Sequence, residues 1–141
     1  MSEIAFDHIH LISENPQAAA RWYATMFGGE ITAESEVRGA PQISVAVRGA
    51  TLLIRGKRSG EVPERTHPMQ AFDGYSSHNE WGIDHFGFTY DGDVIAFCEE
   101  LKRKGAELLV EPLEFAPGVV ICYVAAPDGV SIEVVQARSS V

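Results

Sequence analysis

The sequence predicts an α+β fold made of two tandem βαβββ modules, and three observations carry that reading. Asp7-His8-Ile9 recurs as Asp84-His85-Phe86, and the chain aligns with itself without a gap from Asp7 to Glu30 and from Asp84 to Glu107, at a fixed offset of 77 positions. Ala19 then answers Ala96, Gly28 answers Gly105 and Glu30 answers Glu107. Self-similarity at a fixed offset marks a repeated supersecondary unit. Within each copy the apolar residues first alternate, then fall at helical spacing, then alternate again.

In the first module Ile4, Phe6, His8, His10 and Ile12 alternate with their neighbours along a strand. Asn15-Pro16 supplies a helix cap with proline in the first turn, and Ala19, Trp22, Tyr23, Met26 and Phe27 form a stripe that stops at Gly28-Gly29. Strands are expected near Ile31 to Val37, Gln42 to Arg48 and Ala50 to Arg55, with a tight turn at Arg48-Gly49. The second module repeats this order: a strand from Ile83 to Tyr90, a helix from Asp93 to Lys104, then strands near Glu107 to Glu111, Val119 to Ala125 and Val130 to Gln136. Pro127-Asp128-Gly129 makes the turn before the last strand. The whole chain, 1–141, reads as one domain, with module one over 1–55, a connecting loop over 56–82 and module two over 83–141. A connection of that length inside a compact domain points to a lid, a binding loop or an interface segment.

Composition narrows the function classes. Hydrophobic content of 45% with 22% charged residues is globular. A net charge of -9, with no basic stripe, excludes a nucleic-acid-binding surface. No apolar run approaches the ~18 residues of a membrane span, and the first residues lack a basic and apolar leader. A cytoplasmic location is therefore expected. Cys98 and Cys122 have no paired-cysteine spacing and read as small buried hydrophobes in a reducing compartment.

The residues able to carry chemistry are histidines and one acid. The repeat places His85 where His8 stands, and strand spacing puts His10 on the face of His8. Neutral imidazole is the commonest metal donor at physiological pH. Glu133 lies in Val130-Ser131-Ile132-Glu133-Val134-Val135, an apolar strand in which a lone acid is costly unless paired or metal-bound. Two histidines and a carboxylate form a facial set that leaves coordination positions open. The structural alternative is a hydrogen-bonded core histidine.

With these residues the chain resembles the vicinal oxygen chelate superfamily, which includes glyoxalase I, methylmalonyl-CoA epimerase, extradiol dioxygenases, fosfomycin-resistance enzymes and bleomycin-binding proteins. The paired modules, the two Asp-His openings, the Phe27-Gly28-Gly29 helix stop and the closing Pro127-Asp128-Gly129-Val130-Ser131-Ile132-Glu133 carry the resemblance. It implies a U-shaped, partly open barrel-like sheet around a cleft, a homodimer, a small-molecule substrate, and one divalent metal held by His8, His85 and Glu133. Glyoxalase-like members draw a fourth ligand from the last strand of the first module, where this chain has Leu53. That departure points towards a dioxygenase-like enzyme with Fe(II) or Mn(II), ahead of a Zn(II) or Ni(II) lyase or isomerase and of a non-catalytic antibiotic-binding protein. Tyr123, ten residues before Glu133, matches a tyrosine of the extradiol and fosfomycin-resistance enzymes and is expected to hydrogen-bond a substrate oxygen. The histidine that extradiol enzymes carry upstream of that tyrosine is absent from Glu114-Phe115-Ala116-Pro117. His10 is the expected catalytic replacement, and His67, His78 and Trp81 of the long loop are expected to contact substrate.

Overall fold

The computed structural model describes residues 2–64 and 81–137, in two compact units, Met1–Glu64 and Arg65–Val141. The first contains β1 (Ile9–Ile12), α1 (Pro16–Phe27), β2 (Glu30–Val37), β3 (Ala40–Val47) and β4 (Ala50–Arg55). The second contains β5 (Phe86–Tyr90), α2 (Val94–Arg103), β6 (Glu107–Ala116), β7 (Val119–Ala125) and β8 (Ser131–Gln136). Both units are βαβββ, and their sheets have the equivalent orders β1-β4-β3-β2 and β5-β8-β7-β6. The first strand of each lies parallel to the last, and the other pairings are antiparallel.

Each helix forms where the sequence caps it. The Asn15 side chain accepts from the Ala18 N–H and the Asp93 side chain from the Ile95 and Ala96 N–H groups, satisfying donors that have no partner inside the helix. Gly28 ends α1 at φ 67, a left-handed conformation that favours glycine. Helix α1 buries Ala19, Ala20, Tyr23 and Met26 beside the buried Ile43, Val45, Leu52 and Ile54 of β3 and β4, and α2 buries Val94, Cys98 and Leu101 beside Cys122, Val124, Ile132 and Val134 of β7 and β8. The opposite face of the second sheet carries Val119, Ile121 and Tyr123, with Val110, Leu113 and Val135 packed against them.

Three strands differ from expectation, the second module's first strand, β5, beginning at Phe86 rather than Ile83. The ladder of β1 begins at the Ile9–Leu52 pair, so the exposed Ile4 and Phe6 precede it and His8 is the last residue before the strand. Strand β6 runs past Glu111 to Ala116 although it contains Pro112. It is an edge strand, and its register shifts between Val110 and Leu113, so the missing N–H of Pro112 falls in a bulge. No described helix is long and apolar enough to cross a membrane.

Candidate functional site

The second unit gathers Asp84, His85, Tyr123 and Glu133. His85 immediately precedes β5, and Gly87 two residues on is the Cα partner of Glu133 in β8, which in turn is the partner of Tyr123 in β7. Alternation along β8 turns Ile132 and Val134 into the core against α2, so Glu133 stands on the opposite face with Tyr123. The His85 Nε2 lies 3.0 Å from Glu133 Oε2, and its Nδ1 lies 2.7 Å from Asp84 Oδ2. The His85 ring meets the Tyr123 ring edge-on, with centroids 5.0 Å apart.

This geometry suits a cation. When Nδ1–H donates to Asp84, the neutral ring turns the Nε2 lone pair towards a carboxylate oxygen, an arrangement that calls for a proton or a metal ion between them. Two donors at right angles, each ~2.1 Å from one ion, stand about 3.0 Å apart. The observed spacing of 3.0 Å fits that requirement. Gly87 makes the approach possible, since a Cβ there would lie 3.0 Å from the Glu133 main-chain oxygen and 3.2 Å from its Cβ.

In the first unit the same aspartate-to-histidine contact recurs, from Asp7 Oδ2 to His8 Nδ1. The His8 and His10 rings are neighbours, with centroids 6.0 Å apart, and His10 is the Cα partner of Leu53. The unit therefore offers two imidazoles and no acid at the position equivalent to Glu133. The His10 pKa is lowered by burial first, then by His8 and Arg55. Among the described residues no three His, Cys, Asp or Glu side chains converge as a ready metal cluster.

Trp81 is fully exposed, and His67 and His78 lie outside the described residues. A shallow cavity of about 520 Å³ in the first unit is lined by residues including Phe6, Asp7, Glu30, Arg48 and Thr51, none of them expected from the sequence to act. Sequence reasoning did not assign roles to Asp7 and Asp84, though the repeated Asp-His dipeptide was the signal. It had no means of finding Gly87, whose importance comes only from its strand partner.

Among curated proteins the chain is 31% identical over 87 residues to a probable lactoylglutathione lyase from Synechocystis, a match covering 49% of this chain and 66% of that relative. Among solved structures it resembles a glyoxylase/bleomycin resistance protein/dioxygenase domain from Frankia, with TM-score 0.72, 18% identity and coverage of 97% and 100% of the two chains. It also resembles a glyoxalase family protein from Bacillus cereus, with TM-score 0.80, 13% identity and coverage of 99% and 97%. The fosfomycin resistance protein FosX from Listeria monocytogenes, complexed with Mn(II) and sulfate, matches with TM-score 0.65, 17% identity and coverage of 97% and 95%. With a family model matching residues 5–134, the chain belongs to the Glyoxalase/Bleomycin resistance protein/Dioxygenase superfamily.

Proposed function

We propose that this chain is a divalent-metal-dependent, dioxygenase-like enzyme acting on a small substrate with two adjacent oxygens, and that His8, His85 and Glu133 hold the metal in a homodimeric protein. The observation that carries the reading is the 3.0 Å His85–Glu133 donor pair. Leu53 at the equivalent place in the first unit leaves a two-histidine, one-carboxylate set. Fe(II) or Mn(II) in that set would supply a Lewis acid and a template for substrate and dioxygen.

The surrounding residues have definable tasks. Asp84 fixes the His85 ring by holding Nδ1. Tyr123, buried and edge-on to His85, is in this reading the phenol that donates to a substrate oxygen. Ile121 and Val135 beside it keep water from that side. His10, next to His8, is the proton acceptor in this reading.

A lyase or isomerase is the second reading, favoured by the lactoylglutathione lyase relative. The deciding experiment is elemental analysis of tag-free protein and its His85→Ala variant, followed by oxygen uptake on a catechol and hydroquinone panel. Iron or manganese lost in the variant, with oxygen consumed, supports the proposal. Turnover of a 2-oxoaldehyde thiohemiacetal by oxygen-free, zinc- or nickel-loaded protein replaces it with the lyase. Metal-free protein that still binds ligands after alanine replacement of all three donors would be a binding protein.

A further inference from the structure

Among the described residues, one pair of nucleophiles has no part in the proposed chemistry. Cys98 on α2 and Cys122 on β7 are both fully buried. Their Sγ atoms share a contact of 2.9 Å, although 24 residues separate them in sequence. The facing elements explain it: Val94, Cys98 and Leu101 form the buried stripe of α2, and α2 packs on β7. Both thiols are free.

We propose that Cys98 and Cys122 form an oxidation-sensitive thiol pair, which closes into an intramolecular disulfide when the protein meets a hydroperoxide and thereby ties α2 to β7. A bonded pair of sulfurs is ~2.05 Å apart, so the contact has less than about 1 Å left to close. The two sulfurs divide the work. The hydrogen bond between the two sulfurs draws the Cys98 thiol below its ordinary value, whereas the same bond and burial hold Cys122 well above its own. When local opening of α2 admits the oxidant, Cys98, as the thiolate, attacks the peroxide oxygen; the O–O bond breaks, an alcohol or water leaves, and Cys98 becomes a sulfenic acid. Cys122 attacks that sulfur and expels water. In total two thiols and one hydroperoxide give one disulfide, one alcohol (water, when the oxidant is hydrogen peroxide) and one water; each sulfur loses one electron and the two peroxide oxygens gain two. The consequence reaches the candidate site, because Tyr123 follows Cys122 on the opposite face of β7 and pairs with Glu133.

The test is hydrogen peroxide treatment of the native full-length chain, read by intact mass, thiol titration after denaturation and thermal melting. The expected result is a loss of two hydrogens from the monomer mass, both thiols gone, a dithiothreitol-reversible link between the peptides carrying Cys98 and Cys122, and a melting temperature raised by roughly 5–10 °C. In Cys122→Ser, dimedone should trap a sulfenic acid at Cys98. Retention of both thiols in the treated wild type, oxygen addition without loss of two hydrogens, or linkage only between chains would each overturn the proposal, and none of these readouts depends on the metal site.

Discussion

Glu133 Oε2 stands 3.0 Å from His85 Nε2 while Asp84 holds the other nitrogen of the same ring. Three side chains thus share one line of hydrogen bonding, and at its Glu133 end stands a carboxylate that the surrounding apolar strand does not stabilise. Replacing Glu133 with alanine removes the carboxylate from that line without emptying the core, because its side chain is 21% exposed. We expect Mn(II) affinity to fall by at least tenfold, the scale on which even supporting groups matter, with the far-ultraviolet dichroism unchanged. Titration of Mn(II) into both proteins checks this, and equal affinities would remove Glu133 from the site.

Gly87 should be nearly as sensitive, although it has no side chain to act. A methyl group there would lie 3.0 Å from the Glu133 carbonyl oxygen and 3.2 Å from its Cβ, so β8 or Glu133 has to give. Gly87→Ala is expected to weaken Mn(II) binding by about tenfold or more while the protein remains folded. An unchanged dissociation constant would show that the Glu133 position tolerates the shift.

The fold was open to reading because the repeat supplied two independent copies of each signal. Asn15-Pro16 and Gly28 delimit α1, and Asp93 begins α2, by local hydrogen bonding that sequence spacing reveals. The extension of β6 through Pro112 was not legible, since tolerance of proline depends on the strand lying at an edge. His85 and Glu133 stood out in the sequence by residue type, and the structure brings them into contact, but the contact between Cys98 and Cys122 was not legible. Their apposition is set by how α2 sits on β7, and no cysteine spacing encodes it.

His10 gives the metal-free protein a pH dependence of stability with a definite sign. Burial, then His8 and Arg55, lower its pKa from the ordinary 6.5 in the folded chain. The unfolded chain therefore takes up the proton first as pH falls. Stability from this group is intact above about 6.5, declines as pH drops through 6.5 towards the lowered folded value, and is fully lost below it. Urea midpoints recorded from pH 8 to pH 5 should fall less steeply in His10→Gln than in wild type. Parallel curves would show that His10 titrates alike in both states.

The matched registers of the two sheets make a final prediction. Gly87 pairs with Glu133 in one unit, and His10 pairs with Leu53 at the equivalent place in the other. The small residue and the acid go together because the glycine leaves the acid its room; in the first unit a histidine and a leucine take those two positions. Leu53→Glu alone therefore puts a charge against the His10 ring on a half-buried strand and should destabilise the protein, because a carboxylate there lacks the room that glycine provides. Combining it with His10→Gly rebuilds the pair found in the second unit. The double variant is expected to regain stability in urea and to bind Mn(II) about tenfold more tightly than His10→Gly alone, through an added carboxylate donor. If it binds no better, the first sheet does not face the metal in the way the second does, and His8 would have to be withdrawn from the ligand set.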